Sequence, residues 1–267
     1  MARLKIRRHS LPVRVTHWIN LAAFLVLLAS GLQIFNAHPA LYWGEDSRFD
    51  RPWVAMTPAQ APDGRLIGVT RIGGQRFETT GVLGVSDGQP RGFPAWATLP
   101  SHRSLADGRR WHLAMAWVFA LNGALYLSWS LLSGHFFKDL WPTREQGRLR
   151  HILKDIGDHL RLRFPKGEAA RRYNVIQKWA YLAVILVLLP LMVLTGLCMS
   201  PGMGAAAPWL VEVFGGRQSA RTIHFLSASG LVLFLVVHVA LVVLSGFWNN
   251  LRSMITGRYA IEVEAAE

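Results

Sequence analysis

Four long apolar stretches dominate the chain: Val15–Phe35, Trp111–Ser133, Trp179–Ser200 and Ile223–Phe247. None of them contains Asp, Glu, Lys or Arg. A helix needs roughly 20 apolar residues to cross the hydrocarbon core of a bilayer, and each stretch is long enough. The pattern therefore predicts an all-α membrane protein, a bundle of four transmembrane helices built as a single domain over residues 1–267.

The polar segment 36–110, between the first two stretches, is too long to be a simple connector. Within it, Gly64–Thr80 has the pattern of a small β-hairpin, because the pair Gly73-Gly74 supplies the positive φ angles of a tight turn. The segment could be a folded cap on the membrane surface or a docking surface for a soluble partner, and the two interpretations are compatible.

The segment 134–178, between the second and third stretches, contains an amphipathic helix pattern. Arginine, lysine and aspartate fill the positions between apolar residues. Such a basic amphipathic helix typically lies on a lipid surface, and we expect Pro165-Lys166-Gly167 to end it. The apolar positions recur at three- and four-residue steps: Leu149, Ile152, Leu153, Ile156, Leu160 and Phe164.

Charge gives the expected orientation. The formal net charge is +13, but the excess is concentrated in two places: residues 1–16 carry five Lys/Arg and no acid, and residues 134–178 carry eleven against five. The segment 36–110 is near balance, with nine against seven. This distribution follows the positive-inside rule rather than a nucleic-acid surface. It places both termini and 134–178 in the cytoplasm, and 36–110 and 201–222 outside, in a prokaryotic inner (plasma) membrane protein.

The basic N-terminus and first apolar stretch also resemble a secretory signal peptide. We expect no cleavage, because the apolar run is long for a signal, the region Ala37–Ala40 is a poor cleavage site, and removal would discard His17. The single cysteine, Cys198, permits no internal disulfide and is expected to be a packed apolar residue.

Histidines supply the candidate chemistry. His224 and His238 are fourteen residues apart on the fourth stretch, which is about 21 Å along a helix with an angular offset of only about 40°. Both rings therefore face one side of one helix at two depths. His238 lies within an apolar run, where a polar ring is costly and marks a functional site.

The predicted topology decides which histidines can meet. His17 begins a helix that runs outward and so lies near the inner face with His238, whereas His112 begins a helix that runs inward and lies near the outer face with His224. We name these the inner pair (His17, His238) and the outer pair (His112, His224). Each pair could supply two axial imidazoles to one haem iron. A zinc site would need its ligands at one level, so two levels disfavour it.

Three further sets of residues are candidates. His135, at the inner end of the second helix, is the rival ligand for the inner haem. Gly31 is fourteen residues after His17 and could open space for the outer haem, although glycine also serves ordinary helix packing. Haem propionates need cations, and the candidates are Arg14, Arg110 and Arg221, with Arg8 and Arg109 as alternatives; lipid phosphate is the other possible partner of these arginines.

These residues carry a resemblance to known proteins. Arg14-Val15-Thr16-His17-Trp18, together with His224 and His238, is similar to the bacterial cytochrome b561 / nickel–iron hydrogenase cytochrome b family. The segment Tyr173-Asn174-Val175-Ile176-Gln177-Lys178 resembles formate dehydrogenase gamma subunits, and Asn36–Gly44 resembles thiosulfate reductase cytochrome b subunits.

The resemblance implies a dihaem membrane anchor with two haem b that exchanges electrons with quinone near the inner haem. By position, it implies that His17 and His238 hold the inner haem, that His112 and His224 hold the outer haem, and that Asn174 and Gln177 are quinone candidates. Helix capping is the alternative role of Asn174.

The sequence thus predicts a dihaem b-type cytochrome, an oxidoreductase subunit that relays electrons between a quinone near the cytoplasmic face and an extracytoplasmic partner, a molybdopterin or iron–sulfur protein. An alternative is a stand-alone quinol oxidase that reduces a small oxidant such as superoxide. A bundle without haem is a third possibility, although the lack of intramembrane charge disfavours an ion-coupled transporter.

Overall fold

The computed structural model describes residues 2–161, 163, 167 and 173–263. Its helices are α1 (Leu11–Phe35), α2 (Leu105–Leu132), α3 (Leu149–Leu160), α4 (Val175–Cys198), α5 (Pro201–Ala206), α6 (Pro208–Val213), α7 (Arg217–Leu244) and α8 (Phe247–Thr256). Its strands are β1 (Ala2–Arg7), β2 (Ala40–Leu41), β3 (Val54–Gln60), β4 (Leu66–Ile72), β5 (Gln75–Glu78), β6 (Val85–Ser86), β7 (Gln89–Pro90) and β8 (Arg258–Val263).

Within the described residues, four helices are long and apolar enough to cross a membrane: α1, α2, α4 and α7. They coincide with the four predicted stretches, and each begins four to six residues earlier than predicted. The apolar pattern marks only the part of a helix that lies in the hydrocarbon core. The first turn of each helix includes polar residues and lies before that part, so the pattern does not include it. At α2, for example, Ser104 accepts a hydrogen bond from the Asp107 backbone and caps the helix.

Apolar side chains on these helices are largely exposed. Leu132 is 89% exposed and Leu125 is 69% exposed on α2, and Leu233 on α7 is 65% exposed. A surface of this kind suits lipid rather than water. The chain is an integral membrane protein.

The chain divides into two compact units. Unit 1 comprises residues 1–20, 121–190 and 229–267, and unit 2 comprises residues 21–120 and 191–228. Each of the four spanning helices contributes one part to each unit.

In unit 1, β1 and β8 pair as antiparallel strands, with Leu4 opposite Ile261 and Arg7 opposite Arg258. This pairing of the two chain ends was not predicted from the sequence. The buried Asn122 ties α2 to α1, since its amide donates to the Thr16 carbonyl at 2.9 Å and to Asn20 Oδ1 at 2.7 Å.

Helix α4 contains a π-type turn over Val184–Leu188, and Pro190 follows in the next turn. Proline has no backbone N–H to donate, so a wider turn before it costs few hydrogen bonds. The predicted inner-loop helix is α3, which ends at Leu160, and its Leu149 and Leu153 are exposed. Phe164, Pro165 and Lys166 lie outside the described residues.

In unit 2, strands β2 to β5 form an antiparallel sheet in the order β2-β3-β4-β5. The predicted hairpin is present as β4 and β5, and Gly73 and Gly74 at its turn have φ angles of 55° and 91°. Phe35, Leu41 and Met56 are buried at the base of the sheet, against Phe225. The segment between α1 and α2 is therefore a folded structure.

Candidate metal centres

The outer pair lies within unit 2. The ring centroids of His112 and His224 are 6.2 Å apart, with an angle of 59° between the ring planes. The structure therefore brings together the two histidines, from α2 and α7, that the sequence pairs at one level.

A hydroxyl group on α1 orients His112. The Nδ1 atom of His112 lies 3.1 Å from Ser30 Oγ and 3.1 Å from the Leu27 carbonyl oxygen. A carbonyl only accepts, so Nδ1 carries the proton. The Ser30 hydroxyl donates its own proton to the Val26 carbonyl at 2.6 Å, which leaves it an acceptor toward His112. Nε2 is then the unprotonated nitrogen that can bind a metal.

The same arrangement recurs for His224, whose ring is oriented by a hydroxyl group on α4. Its Nδ1 atom lies 3.0 Å from Thr195 Oγ1, and that hydroxyl donates to the Leu191 carbonyl of its own helix. Thr195 must therefore accept from Nδ1–H, and Nε2 of His224 is again the nitrogen that can bind a metal.

A glycine follows each of these hydroxyl residues. A Cβ atom on Gly31 would lie 3.2 Å from Cε1 of His112, and one on Gly196 would lie 3.5 Å from Cε1 of His224. Gly31 thus makes room for the imidazole itself. We call the dipeptides Ser30-Gly31 and Thr195-Gly196 the hydroxyl–glycine cradles. Sequence reasoning missed Ser30 and Thr195, although a hydroxyl–glycine dipeptide near the same end of two apolar helices was a visible signal.

The inner pair lies within unit 1. The centroids of His17 and His238 are 6.3 Å apart, at 63° between ring planes. The Phe234 ring stacks on His238 at 5.7 Å, and Trp18 meets the His17 ring edge-on at 5.4 Å. Within residues 2–161 and 173–263, no hydrogen bond holds either imidazole, so aromatic contacts rather than hydroxyl groups orient this pair.

His135 is not brought to the inner pair. Its Nδ1 atom lies 2.6 Å from Asp139 Oδ2, and its ring packs against Trp129. The structure therefore favours His17 over His135 as the partner of His238.

The centroid spacing of both pairs matches that of two imidazoles bound to one metal ion. A metal–nitrogen bond of about 2 Å on each side, plus about 1 Å from each nitrogen to its ring centroid, would put the centroids of two imidazoles on opposite sides of one ion about 6 Å apart. Among the described residues, no group of three or more His, Cys, Asp or Glu could hold a metal ion. Two imidazoles suffice for haem, because the porphyrin supplies the other four ligands.

The propionate candidates already have partners. Arg110 pairs with Asp107 at 3.1 Å, Arg221 donates to the His38 carbonyl, and Arg14 donates to the Ile255 carbonyl. A guanidinium has five N–H donors, so one such bond does not exhaust it. Arg14, Arg109 and Arg221 each precede a pair histidine by three residues and share its helix face.

Asn174 and Gln177 form a capping box at the start of α4. Asn174 Oδ1 accepts from the Gln177 backbone at 2.8 Å, and Gln177 Oε1 accepts from the Asn174 backbone at 3.3 Å. Capping, the alternative role of Asn174, is thus present, and it accounts for the amide oxygens of both residues.

A histidine that sequence reasoning left in a tail lies beside this cap. His9 Nδ1 is 3.2 Å from the Tyr173 hydroxyl, and the two rings stack. Burial, helped by the neighbouring Arg8 charge, lowers the pKa of His9 to about 4, and burial raises the pKa of Tyr173. The Tyr173 ring contacts Tyr181, which contacts Phe234, the ring stacked on His238.

A family model described as prokaryotic cytochrome b561 matches residues 8–257, nearly the whole chain. The chain belongs to the prokaryotic cytochrome b561 family. It is therefore a membrane cytochrome b subunit that binds haem and transfers electrons, and the family resemblance seen in the sequence is confirmed.

One curated relative of this cytochrome is named as a proposed subunit, YedZ1, of a protein-methionine-sulfoxide reductase from Azospira oryzae. The two are 28% identical over 232 residues, which cover 87% of this chain and 88% of the relative. No solved structure gives a significant match to the chain.

Proposed function

We propose that this cytochrome holds two haem b groups and relays electrons between a quinone near the cytoplasmic face and a redox partner outside. His17 and His238 would ligate the inner haem, and His112 and His224 the outer haem. The observation that carries this proposal is the near-equal spacing of the two pairs, 6.3 Å and 6.2 Å between centroids. Haem, when bound, supplies the one-electron chemistry, and the protein supplies position and surroundings.

The charge distribution supports the proposed orientation. The Lys/Arg excess in 1–16 and 134–178 supports cytoplasmic termini in a prokaryotic plasma membrane, with α3 lying on the inner leaflet. The outer pair and the β2–β5 sheet would then lie toward the outer face of the membrane.

The quinone is proposed to bind at the cytoplasmic end of unit 1, next to Asn174 and Gln177. An amide N–H of the Asn174 or Gln177 side chain can donate a hydrogen bond to a quinone carbonyl. Tyr173 and His9 lie beside this position and could carry the proton that quinone chemistry exchanges with the cytoplasm. The contacts from Tyr173 through Tyr181 and Phe234 to His238 link the position to the inner pair.

The partner is proposed to be a soluble molybdopterin or iron–sulfur protein outside the membrane. The name of the Azospira oryzae relative, a subunit of a protein-methionine-sulfoxide reductase, favours a partner that reduces an external substrate. Exposed aromatic side chains of unit 2 offer a surface for docking, among them Trp96, which is 82% exposed, and Phe49, which is 73% exposed.

Quinol-driven reduction of the purified haem protein tests this proposal. We expect a quinol analogue to reduce both haems of the wild type. His238→Ala should stop this reduction, whereas His224→Ala should leave the inner haem reducible by quinol. Reduction of an outer haem by quinol in His238→Ala would contradict the proposed order.

Copurification separates a partnered subunit from a stand-alone quinol oxidase. A soluble redox protein that copurifies, and whose addition reoxidises the quinol-reduced cytochrome, would support the relay. Reoxidation by superoxide alone, at the same rate in the partner's absence, would support the oxidase.

A further inference from the structure

The strands at the chain ends bring like charges together. Strands β1 and β8 pair in a register that sets Arg7 directly opposite Arg258. Side chains alternate between the faces of a strand, so Lys5 lies on the same face as Arg7. Like charges directly opposite each other destabilise an antiparallel pair, so a compensating charge would stabilise this arrangement.

These cations line a cavity. The cavity has a volume of about 450 Å³ and is lined by Lys5, Ile6, Arg7, Arg14, Thr256 and Arg258. A second cavity of about 370 Å³ shares Lys5, Thr256 and Arg258 and adds Arg252. We call the two together the basic cavity.

The charged side chains in the described lining of the basic cavity are all cationic. Of the described residues that line the basic cavity, five are Lys or Arg and none is acidic. Within the described part of the chain none of the five forms an ion pair, and Arg14 Nε is buried without a hydrogen-bond partner.

Arg14 is fixed in place by the end of α8. Its guanidinium donates to the Ile255 carbonyl, and its Cζ lies 3.5 Å from the position a Cβ would take on Gly257. Gly257 ends α8 with a φ angle of 80°, and the strand that carries Arg258 begins at the next residue. The cations therefore come from β1, α1, α8 and β8, which is a built site rather than a run of charge along one element.

We propose that the basic cavity is a binding site for a phosphate group, supplied by the headgroup of an anionic phospholipid. Guanidinium groups bind phosphate oxygens in a bidentate fashion. Several arginines around one cavity therefore suit a phosphate group, which offers several oxygens. The cavity lies just before the apolar part of α1, at the level where inner-leaflet headgroups meet a helix in the proposed orientation. The proposal does not rest on the haem assignment, although Arg14 is also a propionate candidate.

Thermal unfolding of the full protein in a neutral detergent tests the proposal. The probes are short-chain phosphatidylglycerol, short-chain phosphatidylcholine and inorganic phosphate, each titrated separately. The cavity variant combines Arg7→Gln with Arg258→Gln. The matched control combines Arg148→Gln with Arg150→Gln, which removes the same charge from the exposed basic part of the inner loop.

We expect phosphatidylglycerol, and not phosphatidylcholine, to raise the unfolding temperature of the wild type. The concentration required should rise at least about tenfold in the cavity variant and less than about twofold in the control. Without lipid, the cavity variant should unfold at a higher temperature than the wild type, because the opposed guanidinium groups no longer repel. If the double variant does not fold, Lys5→Gln alone repeats the comparison.

Equal responses of the cavity variant and the control, or equal stabilisation by phosphatidylcholine, would overturn the proposal. Stabilisation by inorganic phosphate at the same concentration as phosphatidylglycerol would keep the phosphate site but assign it to free phosphate. Loss of the inner haem in the folded cavity variant would instead assign the cavity to a haem propionate and overturn it.

Discussion

The Oγ1 atom of Thr195 lies 3.0 Å from Nδ1 of His224, and its single proton is already donated to the Leu191 carbonyl. Ser30 holds His112 in the same way. In both cradles the helix backbone fixes the hydroxyl proton, the hydroxyl accepts from Nδ1–H, and Nε2 is left as the nitrogen that would bind the proposed outer haem. Partners of this kind orient metal-ligating histidines and tune their basicity.

Removing the Thr195 hydroxyl should weaken the outer haem selectively. In Thr195→Val the shape is kept but the acceptor for Nδ1–H is lost, so we expect affinity for the outer haem to fall about 10- to 100-fold. The inner haem should be retained. Haem titration of the apoprotein with redox potentiometry measures both effects.

Thr16→Val is the matched control for this variant. Thr16 makes the same hydrogen bond to a carbonyl four residues earlier, at 2.7 Å, and touches no histidine through its hydroxyl. If Thr16→Val and Thr195→Val shift the outer haem equally, the cradle has no specific role.

The cradle glycines should differ in their tolerance of a methyl group. A Cβ on Gly31 would come within 3.2 Å of His112, which is tighter than ordinary contact, whereas one on Gly196 would lie 3.5 Å from His224. Gly31→Ala should therefore displace the His112 ring and lower outer haem content, and Gly196→Ala should do so much less. Gly123→Ala meets open space and should leave haem unchanged, with a gain in stability of about 0.5–1 kcal/mol. Equal haem loss in all three variants would refute this ranking.

The two roles considered for Asn174, helix capping and quinone binding, can be separated by substitution. Asn174→Ser keeps an oxygen that caps α4 but removes the amide donor, whereas Asn174→Ala removes both and should cost about 1 kcal/mol of stability. If the amide binds quinone, quinol oxidation should slow in both variants with both haems present. Normal turnover in Asn174→Ser would leave Asn174 with capping alone.

Acid should destabilise unit 1 through His9. The folded protein holds the pKa of His9 at about 4, mainly through burial, against about 6.5 in an unfolded chain. The unfolded state therefore binds a proton more readily, so this contribution is complete above pH 6.5 and is lost as the pH falls toward 4. The loss amounts to at most about 3 kcal/mol. As the pH is lowered, the unfolding temperature should fall less steeply in His9→Gln than in the wild type. His102→Gln, a change at an exposed histidine, is the control and should behave like the wild type. Parallel curves for all three proteins would refute the role of His9.

Much of this architecture could be predicted from the sequence. Apolar stretches without charge are a strong signal, and they located α1, α2, α4 and α7. Helical spacing and orientation were enough to pair His17 with His238 and His112 with His224, because the spacing depends on a regular rise per residue and the orientation on the distribution of Lys and Arg.

Other features depend on contacts that no local pattern encodes. The pairing of β1 with β8 joins the two ends of the chain, and its register decides that Arg7 meets Arg258. The contact of His9 with Tyr173 joins residues 164 positions apart. The roles of Ser30 and Thr195 were missed because serine and threonine are common in membrane helices, and the hydroxyl–glycine dipeptide gains meaning only once an imidazole is known to lie beside it.

Haem b per polypeptide, measured by pyridine haemochrome absorbance on detergent-purified protein, tests the central claim most directly. The account predicts a ratio near two, falling to near one in His224→Ala and in His238→Ala and staying near two in His135→Ala. A wild-type ratio near one would remove one of the pairs and with it the relay. Two haems retained in either single variant would contradict the ligand assignment itself.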